Sequence, residues 1–94
     1  MLNERIRKLR TERNLSQVDL AKLLNVTKQS VSNWENDNIQ PSIEMLMKIA
    51  SVFSVSTDYL LGLDDRRYME VTGLTDVEIA HLQQVIGDIQ KKHP

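Results

Sequence analysis

The fold of this chain is decided by residues 15–36, which read LSQVDLAKLLNVTKQSVSNWEN. Ser16 is a predicted helix N-cap, with Asp19 three residues later in the acidic position of a capping box. Thr27 is a second predicted N-cap, and Asn25 lies between the two, in a turn where asparagine tolerates a left-handed backbone. The pattern predicts two short helices joined by a tight turn.

The second of these helices is predicted from Thr27 to about Asn36, with one apolar and one polar face. Val31 and Trp34 are three residues apart and share the apolar face, so we expect Trp34 to pack in the core and not on a base. The polar face carries side chains that can hydrogen-bond to base edges: Lys28, Gln29, Ser32 and Asn33. Two short helices, the second polar outward, form the architecture that places a helix in the major groove of DNA.

Three further helices are predicted around this pair. Apolar residues at helical spacing predict a first helix from about Leu2 to Arg13. Ser42 and Ser56 are predicted N-caps of a fourth and a fifth helix, and Gly62 is the predicted stop of the fifth. Residues 1–62 are therefore expected to form one all-helical, five-helix domain.

The C-terminal third of the chain predicts a linker and one more helix. Residues 63–73 show no clear period and are expected to be a linker. Thr75 and Glu78 form a predicted capping box for an amphipathic helix within residues 74–94. Its apolar residues fall at spacings of three, four and three, which is typical of a coiled-coil seam: Ile79, Leu82, Ile86 and Ile89. We expect this seam to pair two copies of the chain, and folding back on the five-helix domain is the open alternative.

Composition limits the classes of function. The chain has 94 residues and no cysteine, so neither a disulfide nor a thiolate metal site is available. No apolar run approaches the roughly 20 residues that span a bilayer, and the first residues lack the order of a signal peptide. His81 and His93 are distant in sequence, and there is no glycine-rich phosphate loop or metal-spaced cluster. We therefore expect a cytoplasmic protein without membrane contact, enzymatic activity, cofactor or metal.

Charge is distributed unevenly along the chain, although the net charge is only −1. The first 40 residues carry seven basic and five acidic side chains, whereas the remainder carries five basic and eight acidic ones. A surface that faces phosphates is therefore expected in the N-terminal half.

Residues 15–36 resemble the helix-turn-helix of Xre-type regulators and phage repressors, and the resemblance extends over about residues 2–61. Features outside the motif also lie where that family has them: Ile6, Arg10, Pro41-Ser42 and Tyr59-Leu60-Leu61-Gly62. The resemblance implies a lambda-repressor-like helix-turn-helix domain in residues 1–62 that binds double-stranded DNA and regulates transcription. Many members carry glycine where this chain has Asn25 and Asp37, and both replacements tolerate a left-handed backbone.

The resemblance also assigns roles to single residues. Bases are expected to be read by Lys28, Gln29, Ser32 and Asn33. Phosphates are expected to be contacted by Gln17, Thr27, Ser30, Asn36 and Asn38. Gln29 is the first candidate for specificity, because a glutamine amide can hydrogen-bond bidentately to adenine. Arg10 and Glu35 are expected to form a structural ion pair between the first and third helices.

Three functions are compatible with these observations. The first is a homodimeric repressor, because one helix-turn-helix reads only a few base pairs and two modules supply usable specificity. Repression needs only occupancy of the DNA, and we expect no activation domain within these 94 residues. The second is an antitoxin whose C-terminal helix captures a toxin or another regulatory protein. The third is a protein-interaction module that has lost DNA binding.

Overall fold

A computed structural model of the protein describes residues 1–93, so that Pro94, the last residue of the predicted C-terminal element, lies outside the described residues. The described backbone forms six helices and no strand, which confirms the predicted all-helical fold. The helices are α1 Leu2–Glu12, α2 Gln17–Leu24, α3 Lys28–Glu35, α4 Ile43–Phe53, α5 Thr57–Leu61 and α6 Asp76–Gln90. None of them is both long and apolar enough to cross a membrane.

Hydroxyl side chains begin five of the six helices, as predicted. Each accepts a hydrogen bond from the backbone N–H three residues later, which satisfies one of the free donors of the first helical turn. The capping residues are Ser16, Thr27, Ser42, Ser56 and Thr75. The capping boxes predicted at the starts of α2 and α6 are both complete. Local sequence signals therefore set where these helices begin.

Left-handed residues end helices and shape the loops between them. Asn25 ends α2 at φ 57° and ψ 47°, and Asp37 in the loop after α3 has φ 59°. Both lie where the resemblance predicted a left-handed backbone. Ser54 after α4 and Asn14 after α1 adopt similar angles, with φ values of 53° and 57°. Asparagine suits such positions because its short polar side chain hydrogen-bonds locally.

The core is formed by α1 to α5. α1 packs on α3 and α5, α2 packs on α3 and α4, and α4 packs on α5. The core side chains are predominantly aliphatic, and Trp34 lies among them with 7% of its surface exposed. Trp34 therefore packs in the core, as its helical phase predicted. The buried apolar residues are Ile6, Leu9, Leu20, Ala21, Leu24, Val31, Trp34, Ile49, Ala50, Phe53, Tyr59 and Leu60.

The segment between α5 and α6 is irregular but contacts the core. Arg5 of α1 forms an ion pair with Asp65 at 2.5 Å, and its guanidinium lies 4.2 Å from the centre of the Tyr59 ring. Arg67 lies 5.3 Å from the same ring and 3.5 Å from Glu12. The part of the segment up to Arg67 is therefore held against α1 and α5 by these contacts.

Candidate nucleic-acid interface

The predicted base-reading side chains lie on one face of α3. Lys28 and Gln29 are exposed, and Ser32 and Asn33 are half-buried beside them. Gln29 Nε2 donates a hydrogen bond to Asn33 Oδ1 at 3.0 Å, one helical turn along the same face. This bond holds the two amides in a fixed mutual orientation.

Two hydroxyls lie at the start of α3. Thr27 Oγ1 accepts the capping bond from the Ser30 N–H at 3.1 Å and lies 3.0 Å from Ser30 Oγ. One hydrogen bond between two hydroxyls uses one of their two protons. The other proton is free to be donated to a phosphate oxygen at this helix end.

Glu35 at the end of α3 is a buried carboxylate that joins three helices. Its side chain has no exposed surface, and Arg10 of α1 approaches it bidentately, with Nε 2.6 Å from Oε2 and Nη2 2.9 Å from Oε1. Arg10 also donates to the Leu15 carbonyl at 2.8 Å. The structure thus brings together the two residues that were expected to pair. Fork-to-fork pairs of this kind are among the stronger hydrogen bonds in proteins.

Gln17 at the start of α2 has a contact that the sequence did not predict. Its Nε2 donates to Glu35 Oε1 at 3.2 Å, so Gln17 links α2 to α3. The amide still has a second N–H and a carbonyl oxygen for other partners. A phosphate contact by Gln17 stays a prediction. The hydrogen bond to Glu35 restrains the Gln17 side chain that would make this contact.

Arg7 is a functional candidate that sequence reasoning missed. Its Nε lies 3.5 Å from Glu35 Oε1, and its Nη2 donates to Asn36 Oδ1 at 3.2 Å. About half of the Arg7 side chain is exposed, although it also forms part of the charge that surrounds Glu35. The signal was its position three residues before Arg10, on the same side of α1.

The ion pairs shift the acidity of both partners. Burial alone would raise the pKa of Glu35, but hydrogen bonds from Arg10 and Gln17 and the charges of Arg10 and Arg7 hold that pKa below its ordinary value. The hydrogen bond to Glu35 raises the pKa of Arg10. The carboxylate therefore stays ionised at neutral pH, and α1, α2 and α3 remain tied.

The loop after α3 folds back on the end of that helix. The backbone N–H of Asn38 donates to the Asn33 carbonyl at 2.9 Å, and the left-handed Asp37 allows the chain to turn there. Asn36 Nδ2 donates to Ser32 Oγ at 3.2 Å. Asn36 and Asn38 are exposed at the end of the base-reading face.

Comparison with known proteins identifies the family to which this arrangement belongs. Residues 6–60 match the model of the family described as helix-turn-helix, which covers more than half of the chain. The chain belongs to the helix-turn-helix family. The HTH-type transcriptional regulator ImmR of Bacillus subtilis is 32% identical over 87 residues, which cover 93% of this chain and 68% of ImmR. Two further curated relatives are the HTH-type transcriptional activator BcrR of Enterococcus faecalis and the regulator YonR of Bacillus subtilis. This chain matches 29% of the length of BcrR and 56% of the length of YonR.

Solved structures of a phage repressor and of a complex that contains SinR have the same fold. The c2 repressor of Salmonella phage P22, in complex with a synthetic operator, matches with a TM-score of 0.64 and 33% identity over 68% of this chain and 97% of that chain. The complex of SinR with SinI matches with a TM-score of 0.63 and 28% identity over 99% of this chain and 82% of that chain. The predicted repressor-like fold is confirmed.

Proposed function

We propose that this protein represses transcription by inserting α3 into the major groove of a specific DNA site. The observation that carries the proposal is the polar face of α3, which is accessible while the opposite face of the helix is buried. The similarity to a repressor solved with its operator supports it. The proposal places the protein in the cytoplasm with the DNA and gives it no catalytic role, cofactor or metal.

Gln29 and Asn33 are the proposed specificity pair. Gln29 uses one amide N–H to bond Asn33, which leaves its second N–H and its carbonyl oxygen free. These two groups match the N7 acceptor and the N6 donor of adenine. The bond to Asn33 is thus compatible with bidentate reading of adenine. Lys28 is proposed to reach guanine or a phosphate, and Ser32 completes the reading face.

The proposed phosphate contacts surround this face. Thr27 and Ser30 lie at the start of α3, Asn36 and Asn38 at its end, and Gln17 at the start of α2. Such contacts fix the register of the protein on the duplex and carry little sequence information. Arg7 is added here to the predicted set, because its charge lies beside Asn36.

The experiment is selection of bound sequences from a random DNA pool, followed by gel shift in increasing salt. We expect one enriched sequence whose binding weakens steeply with salt, because bound phosphates release counterions. The double variant Lys28→Ala and Gln29→Ala should lose sequence preference. Lys8→Ala with Gln84→Ala is the matched control, since it removes the same side-chain types from exposed positions outside α3. Unchanged affinity of the α3 variant would favour the protein-interaction module.

The proposed repressor acts as a homodimer through α6. No residue of α6 is buried, so its apolar seam is available to a second copy. Two modules on adjacent half-sites supply the specificity that one module lacks. The enriched DNA sequence should accordingly contain two related half-sites about one helical turn apart.

A second candidate function is capture of a different protein by α6, as in an antitoxin. The exposed seam favours it, and SinR, which is similar over nearly the whole chain, was solved with a second protein, SinI. Expression of the chain together with its neighbouring genes, followed by purification through a tag, distinguishes the two. A stoichiometric complex with another gene product supports capture, and a pure homodimer supports the first proposal.

A further inference from the structure

The apolar seam of α6 is only partly covered by the rest of the described chain. Ile79 is half-buried, whereas Leu82, Ile86 and Ile89 expose 36%, 42% and 51% of their surfaces. α1 to α5 each contribute buried residues to the core, and α6 contributes none. Residues 1–93 therefore leave much of the seam exposed.

A groove of about 640 Å³ lies between α6 and the core. Three seam residues, Ile79, Leu82 and Ile86, line one side of it. The opposite side is formed by the end of α4 and by the segment after α5, and it includes Phe53, Tyr68, Met69 and Val71. Since Tyr68 and Met69 expose 56% and 70% of their surfaces, the groove continues the seam into a broader apolar surface.

The seam by itself is too small for a stable pair. α6 has 15 residues, a length at which an isolated helix is marginal in water. A stable interface uses roughly 20–30 residues on each side, far more than the four seam residues. A partner that covers the seam therefore has to contact the groove as well.

The sequence of α6 indicates the partner and its direction. The seam spacing of three, four and three reads the same in both directions, so an antiparallel copy places Ile79 opposite Ile89 and Leu82 opposite Ile86. Antiparallel pairing also brings the acidic first turn of α6 beside the basic end that follows it in the other copy. The charged residues involved are Asp76, Glu78, Lys91 and Lys92. Parallel pairing would place like charges together.

The charges at the groove also favour the α6 of a second copy as the partner. Asp76–Gln90 contains three acidic residues and no lysine or arginine. The groove is bordered by Arg13 and Arg67. Arg13 donates to the backbone carbonyls of Val52 and Phe53, at 3.0 Å and 2.6 Å, and has no ion pair with a carboxylate of residues 1–93, whereas Arg67 lies 3.5 Å from Glu12. An acidic helix is therefore attracted to this rim.

We infer that a second copy of this chain packs its α6 antiparallel against α6 and over the groove formed with residues 67–71. The inference rests on the proposed homodimer and specifies its geometry. It makes the segment after α5 part of the dimer interface and not only a connection.

Disulfide cross-linking tests the direction. The wild-type sequence has no cysteine, so every disulfide comes from an introduced pair. A mixture of Ile79→Cys and Ile89→Cys should cross-link on mild oxidation, while each variant alone should not. In an antiparallel pair two copies of residue 79 are about 15 Å apart along the axis, beyond the 4.4–6.8 Å between the Cα atoms of a disulfide. Leu82→Cys mixed with Ile86→Cys is a second, independent pair. Cross-linking of Ile79→Cys with itself would overturn the direction.

Sedimentation of full-length variants without DNA tests the groove. Met69→Glu should raise the dimer dissociation constant at least tenfold, because it places a carboxylate in the path of an acidic helix. Met47→Glu is the matched control on exposed α4 surface outside the groove and should change the constant less than twofold. Equal effects of the two substitutions, or a larger effect of Met47→Glu, would overturn the groove contact.

The outcome is separable from DNA binding. A wild-type chain that sediments as a monomer, or only as a complex with another protein, overturns the inference while a salt-dependent gel shift still supports DNA recognition. Antiparallel cross-links together with unchanged DNA binding by the α3 variant would sustain the inference and refute the proposed repressor.

Discussion

The five-helix core and α6 both have amphipathic helices, but only the core helices contribute fully buried residues, while α6 is partly covered along the groove. Leu24 of α2 has no exposed surface, whereas Leu82 of α6 exposes 36%. An apolar stripe thus predicts that one face of a helix is covered, but it does not identify the helix or molecule that covers this face. The core helices cover one another, whereas much of the apolar stripe of α6 stays exposed in residues 1–93.

The largest loss of unfolding free energy should follow removal of the Arg10–Glu35 ion pair, which joins helices of the core. Arg10→Ala leaves the Glu35 carboxylate buried without its main partner, which costs about 3–5 kcal/mol of unfolding free energy. Urea denaturation measures the loss. Arg66→Ala is the control, because the pair of Arg66 with Asp64 lies outside the core with the Arg66 side chain 77% exposed, and exposed pairs contribute about 0–1 kcal/mol. Equal losses of unfolding free energy in the two variants would mean that burial of Glu35 does not increase the contribution of its ion pair to stability.

Lowering the pH should weaken the same ion pair, Arg10 with Glu35. The folded-state pKa of Glu35 is below its ordinary value of 4.5, so its contribution is complete above that value and is lost as the pH falls through the lowered folded-state pKa. Glu35→Gln cannot titrate, so the stability gap between wild type and variant should narrow as the pH is lowered from 7 to 3. Thermal melts across this range measure the gap, and a constant gap would contradict the assignment.

Truncating one leucine in each region tests the comparison directly. Leu24→Ala creates a cavity in the core and should lower the unfolding free energy by about 2–5 kcal/mol. Leu82→Ala should change the unfolding of the dilute chain by less than about 0.5 kcal/mol, as surface substitutions do, and should weaken self-association instead. Denaturation at low concentration and sedimentation at high concentration separate the two effects. A large loss of monomer stability from Leu82→Ala would show that α6 folds back on the core.

The smallest effect is expected at the helix caps. Ser42→Ala and Thr75→Ala each remove a capping hydroxyl, a change that costs about 1 kcal/mol. The cost of Ser42→Ala should appear in the unfolding of the core, because α4 unfolds with it. The cost of Thr75→Ala should appear as hydrogen exchange at the start of α6, with the core unaffected. Loss of core stability from Thr75→Ala would make α6 part of the same cooperative unit.

Local signals predicted the helices well because they act within one turn. Ser16, Thr27 and Thr75 cap their helices through neighbours three residues away, and no distant contact is needed. The left-handed turn at Asn25 depends equally on local geometry. The first helix, predicted from about Leu2 to Arg13, spans Leu2–Glu12 with Arg13 as its C-cap.

Contacts between helices were predicted only where the family resemblance supplied them. The pairing of Arg10 with Glu35 came from the resemblance, whereas the bonds from Gln17 and Arg7 to the same carboxylate were missed. Both bonds depend on how α1, α2 and α3 meet, which spacing along one helix does not specify. The DNA contacts of α3 stay predictions, because they depend on a partner outside the chain.

The sequence by itself determined the helices, their caps, the helix-turn-helix and the polar face of α3, because propensity, capping and periodicity operate over a few residues. Only the tertiary structure decided that Glu35 joins three helices, that residues 63–67 lie against α1 and α5, and that α6 faces a groove. The physical reason is that burial and charge pairing between distant residues depend on the relative positions of whole helices, and the packing of the core sets those positions.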